Sequence, residues 1–126
     1  MRRLWIGIGL LVGIVFLGFW TTSRMCTIHT EISNQLRFAG QAAQSDQWDR
    51  ADLLAKQAKE LWQRHWKLSA ALADHTILDE IDGQFAQAEV YRQSRDPVAY
   101  GALCARLAKS IEALQEAHRL TWWNLL

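Results

Sequence analysis

The sequence predicts an all-α protein, with an N-terminal transmembrane helix followed by a small antiparallel bundle of three to four helices. An uninterrupted apolar run from Leu4 to Trp20 indicates the membrane helix. Beyond about residue 27, apolar residues recur in steps of three and four, which is the spacing of one helical face. Proline occurs once, at Pro97, so little interrupts this helical pattern.

The apolar run has the length that a short membrane-spanning helix needs, and no charge interrupts it. Trp5 and Trp20 stand near its two ends, where aromatic side chains favour the headgroup layer. The alternative is a cleaved signal peptide, which has an apolar core of about 7–15 residues and then small residues just before the cut. This run is longer and ends in Phe19-Trp20, so we expect an uncleaved anchor.

Charge suggests how the chain is oriented. Arg2 and Arg3 precede the run and favour a cytoplasmic N-terminus. We expect residues 1–23 to form a cytoplasmic stub and transmembrane anchor in the cell membrane, and residues 24–126 to form an extracytoplasmic bundle. The second segment holds all thirteen Asp and Glu and twelve of the fourteen Lys and Arg, so it is slightly acidic. It shows no basic patch and nothing that resembles a nucleic-acid reader.

The first bundle helix is predicted from about Thr27 to Ala43. It continues the membrane helix, because nothing between Trp20 and Thr27 breaks it. Asp46, in the sequence Ser45-Asp46-Gln47, is expected to cap the next helix, with Asp49 as its capping-box partner. The apolar stripe of the first helix is Ile28, Ile32, Leu36 and Ala39.

The second helix is predicted from Trp48 to about Ala73. Outside its apolar stripe, Asp52/Lys56 and Glu60/Arg64 stand four apart, with the acid first, the better order for a helix. The stripe consists of Ala51, Leu54, Ala58, Leu61, His65, Leu68 and Leu72.

Two further helices complete the bundle. Thr76 is expected to cap the third, which fades near Arg92. Asp96-Pro97, a capping residue followed by proline at the first helical position, begins the fourth. The stripe of the third helix is Leu78, Ile81, Phe85 and Ala88, and that of the fourth is Tyr100, Leu103, Leu107, Ile111 and Leu114.

The C-terminal tail is a candidate interaction segment. Short links favour antiparallel neighbours, so the tail should return to the bilayer. Its apolar residues, Trp122, Trp123, Leu125 and Leu126, suit an interfacial anchor or a partner groove. The alternative is that they close the open end of the bundle.

The chain resembles an uncharacterised, domain-of-unknown-function family of small single-pass, membrane-anchored helical proteins of Gram-positive, often spore-forming bacteria. The features that carry the resemblance are the basic start before a Gly-rich anchor, the stripe Trp48/Ala51/Ala58/Trp62, Asp74-His75 followed by Leu78-Asp79-Glu80-Ile81-Asp82, and the ending Asn124-Leu125-Leu126. The resemblance implies location and architecture but no activity. Family members accompany multi-pass membrane proteins, which implies an accessory role.

Residues with catalytic or ligand-binding chemistry are sparse. None of the spacings typical of metal ligands occurs, and His65 in an apolar stripe reads as a hydrogen-bonded core residue. No nucleophile elbow or phosphate loop is present, so we expect neither an enzyme nor a cofactor. Cys26 beside the membrane and Cys104 nearer the distal end are too far apart to pair, although Cys26 could join two chains.

Two hypotheses follow. The first is a non-catalytic, membrane-tethered interaction or accessory subunit that docks on a larger membrane protein. The Gly9-x-x-x-Gly13 face of the anchor supports it, since paired glycines let another helix approach, whether of a multi-pass partner or of a second copy. The alternative is a small extracytoplasmic sensor or ligand-binding bundle, whose candidate ligand surface is Trp62, Trp66, His75 and Asp79.

Overall fold

The computed structural model describes residues 1–72 and 75–125, together with their side chains except those of residues 68, 69, 71, 72, 118, 121–123 and 125. Within these ranges the chain forms four α-helices: α1 (Arg2–Gln44), α2 (Trp48–Leu72), α3 (His75–Ser94) and α4 (Pro97–Leu125). The all-α prediction, with a long N-terminal helix leading into a bundle, is confirmed.

Helix α1 is one unbroken run of 43 residues, whose first part is exposed and whose second part packs against the other helices. An 18-residue window of α1 has a mean hydropathy of 2.1, and none of that window is buried inside the protein. By length and composition the helix can therefore cross a membrane. Burial against the other helices begins at Met25, which is 6% exposed, so the bundle starts directly after the apolar segment without a linker.

The four helices form a ring in chain order. Helix α1 packs on α2 and α4, and α3 packs on α4 and more loosely on α2. One core cluster fills the middle of the ring, and a second fills the end with the two described turns. The first contains Ile32, Leu36, Ala58, Trp62, Leu78, Ile81, Phe85, Leu107, Ala108, Ile111 and Leu114. The second contains Ala39, Ala42, Ala43, Trp48, Ala51, Ala88, Tyr100, Leu103 and Cys104.

The predicted apolar stripes of α3 and α4 are buried at every position. Those of α1 and α2 are also on the core side, although Ile28, Leu54, Leu61 and His65 are only partly buried. Two positions of the α2 stripe, 68 and 72, lie outside the described side chains. Helical periodicity therefore identified the inward face of each helix correctly.

The two described turns share one backbone geometry. Asp46 (φ 59°) and Arg95 (φ 51°) adopt the left-handed conformation. The amide of Gln47 donates to the Ala42 carbonyl (2.8 Å), and that of Asp96 donates to the Tyr91 carbonyl (3.3 Å). These are the six-to-one bonds of the Schellman motif, which satisfies carbonyls at a helix end.

This geometry corrects two predicted caps. Asp46 was expected to cap α2, but it is the left-handed residue that ends α1, and Gln47 precedes the first turn of α2. Thr76 was expected to cap α3, but α3 already begins at His75 and Thr76 lies within its first turn. The prediction for α4 is confirmed, because the Asp96 carboxylate accepts a hydrogen bond from the Ala99 amide (3.1 Å) just before Pro97.

Helices α1 and α4 approach closely at a pair of glycines. A Cβ placed on Gly40 would lie 3.3 Å from the Gly101 Cα and 3.2 Å from the Cys104 Cβ. Gly83 of α3 faces open space, with nothing within 4 Å of an added Cβ. The absence of a side chain is therefore a packing requirement at Gly40 but not at Gly83.

Gly40→Ala is expected to lower the free energy of unfolding relative to Gly83→Ala. Both changes gain the same helix propensity, about 0.5–1 kcal/mol, so their difference isolates the close packing. Overpacking at Gly40 should make that difference about 1–3 kcal/mol. Thermal unfolding of the full chain in detergent micelles, followed by circular dichroism at 222 nm, measures it. Equal stability of the two variants would contradict the close approach of α1 and α4.

Candidate functional site

The junction between α2 and α3 is the loosest in the ring, and long side chains bridge it. The indole N–H of Trp62 donates to Oδ1 of Asp82 (2.7 Å), and the Trp62 ring stacks near Phe85 at a centroid separation of 6.2 Å. Toward the distal end, a guanidinium nitrogen of Arg92 lies 2.9 Å from Oδ1 of Asp52. Because few backbone atoms meet here, a groove opens between these bridges.

This groove, which we call the seam groove, has a volume of about 460 Å³. Leu36, Ala55, Phe85 and Ala88 supply its apolar surface, and the Tyr100 side chain reaches it from α4. Charged and polar residues form the rest of its lining, namely Asp52, Lys56, Lys59, Glu60, Gln63, Glu89 and Arg92. Such a surface fits a small ligand with an apolar body and a polar group.

Tyr100 is the most unusual polar group of the seam groove. It is 1% exposed, and its hydroxyl makes no hydrogen bond of acceptable geometry with the described residues. Burial raises the pKa of its phenol well above the ordinary range, and the Cys104 thiol and the Asp52 carboxylate raise it further. Tyr100 therefore keeps its proton and presents an unused hydrogen-bond donor beside the groove.

Arg92 organises the charged wall of the groove. Its guanidinium contacts Glu89 one turn earlier on α3 and Asp52 on α2. Hydrogen bonding from Arg92 lowers the pKa of the Glu89 carboxyl, and the hydrogen bonds to Glu89 and Asp52 raise the pKa of Arg92. Asp52 thus pairs across the seam and not with Lys56, the neighbour that helical spacing suggested.

A second surface runs along the outside of α1. At 3.6 residues per turn, Gly9, Thr27 and Phe38 point within about 20° of one direction, opposite to the buried Leu36. An added Cβ on Gly9 or Gly13 would meet nothing within 4 Å. We call this face the outer strip, defined by Gly9, Gly13, Trp20, Thr27, Asn34 and Phe38.

The outer strip carries a shallow depression beside the first turns of the bundle, with a volume of about 660 Å³. Phe38, at one end of it, is 54% exposed although it is a large apolar side chain. The depression is lined by Ser23, Cys26, Thr27, Thr30, Glu31, Asn34, Gln35 and Phe38, all from α1. The same face of one helix is therefore open both along the apolar segment and along the bundle.

The predicted site residues fall in several places. The anchor residues Leu4, Trp5 and Trp20 are exposed on the apolar part of α1. Of the tail residues, Leu126 and the side chains of Trp122, Trp123 and Leu125 lie outside the described part of the structure.

The residues of the predicted ligand surface differ in exposure. Trp62 is 1% exposed and belongs to the core, whereas His75 and Asp79 are exposed on the first turns of α3. Trp66 is partly buried against the core, and its indole nitrogen is buried without a partner among the described residues.

The structure also places His65 and the two cysteines, Cys26 and Cys104. Nδ1 of His65 lies 2.9 Å from the Leu61 carbonyl, so this ring is hydrogen-bonded within its own helix. Cys26 contacts Gln115, whereas Cys104 packs against Gly40, roughly 20 Å farther along α1. That separation is too large for a disulfide between them. Burial raises the pKa of the Cys104 thiol to about 11.

The sequence did not indicate the seam groove or the buried Tyr100 hydroxyl beside it. Periodicity marked Tyr100 as a core residue, and it gave no sign that its hydroxyl lacks a partner. The spacing of Glu89 and Arg92 on α3 was a usable signal for the ion pair, but not for its extension to Asp52. Within residues 1–72 and 75–125, no group of three or more His, Cys, Asp or Glu side chains is arranged to hold a metal ion.

Comparison with known protein families gives a match over most of the chain. A family model described as a domain of unknown function (DUF4363) matches residues 19–125, from the end of the apolar run to the end of α4. No curated protein and no solved structure gave a significant match.

The Arg92 ion pairs predict a specific dependence of stability on pH. The pKa of Glu89 is lower in the folded chain, so its ionised form contributes stability above the unfolded pKa, near 4.5. This contribution is lost as the pH falls through the folded pKa. Glu89→Gln should lower the melting temperature at pH 7 by about 4 °C or less, and the difference in melting temperature from wild type should shrink as the pH falls below about 4.5.

The measurement is a series of thermal melts of the full chain in micelles between pH 7 and pH 3. Glu116→Gln is the matched control, because it removes one charge from an exposed side chain of α4. A difference in melting temperature between Glu89→Gln and wild type that stays constant down to pH 3 would contradict the ion pair.

Proposed function

The chain is therefore a member of the DUF4363 family, and we propose that it is a membrane-tethered, non-catalytic helical subunit that docks on a larger membrane protein through α1. The observation that carries this proposal is the outer strip. It continues without a break from the apolar segment of α1 onto the exterior of the bundle. A partner helix that packs on the glycines inside the membrane could follow the same face as far as Phe38.

A partner can cover the outer strip both inside and outside the lipid, by a different kind of contact in each. Inside lipid, association depends on close backbone approach, which Gly9 and Gly13 allow because no side chain covers that face. Outside lipid, the exposed ring of Phe38 offers apolar area that a partner can bury. Since α1 is one helix, both contacts are held in one fixed relation.

In this proposal the N-terminus is cytoplasmic and the bundle is extracytoplasmic in the cell membrane. Arg2 and Arg3 precede the apolar segment, and short basic flanks favour the cytoplasmic side. Trp20 supports the position of the outer boundary, because Arg24 lies 5.2 Å from the centroid of its ring, a pairing suited to the headgroup layer.

The seam groove favours a second candidate, a bundle that binds a small extracytoplasmic ligand. Its support is the buried Tyr100 hydroxyl, whose donor a ligand acceptor could use. A compound that binds there should raise the melting temperature of the wild-type chain, but not that of Tyr100→Phe. A screen of soluble metabolites with no such compound would leave this candidate without support.

Site-specific photocrosslinking in intact cells tests the docking proposal. A photoreactive amino acid at Asn34 or Phe38 should give one crosslinked product that contains a multi-pass membrane protein, identified by mass spectrometry. Gly9→Leu with Gly13→Leu should reduce its yield at least about ten-fold, because bulky side chains prevent close helix approach.

The matched controls carry the same photoreactive group at Leu53 of α2 and Val98 of α4, which are exposed but away from the outer strip. These positions should give no such product. A product from Phe38 of twice the chain mass, containing only this protein, would overturn the proposal in favour of self-association. Equal yields from strip and control positions would also overturn it.

A further inference from the structure

The register of the helices brings together basic residues that are far apart in the sequence. Helix α2 starts beside the end of α1, and both rise about 1.5 Å per residue. Lys67 lies nineteen residues beyond Trp48, the first residue of α2, and Met25 lies nineteen residues before Gln44, the last residue of α1. Lys67 is therefore level with Met25, one residue from Arg24.

Helix α4 reaches the same level. The Gly40–Gly101 contact fixes its register against α1, and Cys26 contacts Gln115 in agreement with that register. Counting onward, Arg119 is level with residue 22 of α1. Arg24, Lys67 and Arg119 thus occupy one layer about 5 Å thick. All three side chains are exposed.

Helix α3 begins in this layer as well. The hydrogen bond from Ser110 to Gln84 (3.2 Å) sets its register against α4, and nine residues farther along, His75 is level with Arg119. By the same counts, Glu116 is level with Met25 and Lys67, and Asp79 is level with Cys26, one residue farther from the apolar segment. Arg119 and Arg24 lie closer to that segment than either of these carboxylates. Among the described charges, the side of the layer that faces the apolar segment therefore carries an excess of positive charge.

The position of the layer indicates its partner. Trp20 lies one turn closer to the N-terminus, directly below Arg24, whose guanidinium lies over its ring at 5.2 Å. Tryptophan at the end of a span marks headgroup depth. The next basic layer outward is therefore placed at lipid phosphates, and the charge sign favours anionic lipid.

We propose that Arg24, Lys67 and Arg119 form a collar that binds the phosphates of anionic phospholipids in the leaflet beneath the bundle. The proposal goes beyond docking on a protein partner and rests on the membrane tether assigned to α1. The collar holds the bundle upright on the membrane, because three of its helices contact headgroups at one level. Attraction of this kind weakens as salt increases.

Native mass spectrometry of the full chain in detergent micelles tests the collar, with phosphatidylglycerol and phosphatidylcholine as the added lipids. The wild-type chain should bind phosphatidylglycerol more tightly. Each basic side chain near an anionic surface contributes a factor of about five, so Arg24→Gln/Lys67→Gln/Arg119→Gln should reduce that preference roughly ten- to hundred-fold.

The matched control removes three exposed basic side chains away from the layer, in the variant Arg50→Gln/Arg106→Gln/Lys109→Gln. Its lipid preference should stay within about two-fold of wild type, since even Lys109 lies roughly 15 Å from Arg119 along α4. Equal binding of the two lipids by wild type, or equal losses in the two triple variants, would overturn the collar. The melting temperatures of both variants are measured as well, and values equal to that of wild type exclude unfolding as the cause of a lost lipid preference.

A separate measurement distinguishes the collar from the tether. Liposomes that contain the full chain are washed with alkaline carbonate, which removes surface-bound proteins but not integral ones. Retention of wild type and of both variants supports the tether. If the chain is washed off and yet prefers phosphatidylglycerol in micelles, the tether is wrong and headgroup recognition by the three residues stands.

Discussion

The structure depends on the continuity of α1, one helix that is exposed on all sides in its apolar part and packs into the bundle in its second part. Over its first turns α1 exposes large apolar side chains on all sides, and from Met25 onward it buries one face and exposes the other to solvent. No turn separates the two halves, so the apolar segment fixes the direction of the bundle axis. Every other helix is then positioned relative to that segment through its register with α1.

The contact between α1 and α4 is what sets that register most firmly. Gly40 and Gly101 bring the two backbones so close that small axial displacements would drive Cβ atoms of neighbouring residues into the opposite helix. On the other side of the ring, α2 and α3 have no such glycine contact. They are joined by Trp62, Arg92 and their carboxylate partners, which leaves the seam groove between them.

Predictions from the sequence were correct for features that depend on residues of one helix. The stripes of α3 and α4 are buried as predicted, and the Asp96-Pro97 start of α4 is confirmed, because capping involves residues within one turn of each other. The same rules failed where two elements competed. Aspartate is a common N-cap residue, but Asp46 adopts the left-handed conformation that ends α1. Asp52 has a lysine four residues away, but the structure pairs it with Arg92 of α3 at 2.9 Å.

The sequence by itself determined the helices, their inward faces and an apolar segment able to cross a membrane. These follow from periodicity and from the length of an uncharged run, both of which are local properties. Only the tertiary structure decided the seam groove, the buried Tyr100 hydroxyl and the common level of Arg24, Lys67 and Arg119. Residues forty to fifty positions apart show no basic patch when they are read in order. Their proximity depends on helix register and interhelical distance, which side-chain packing sets and hydrophobic spacing does not encode.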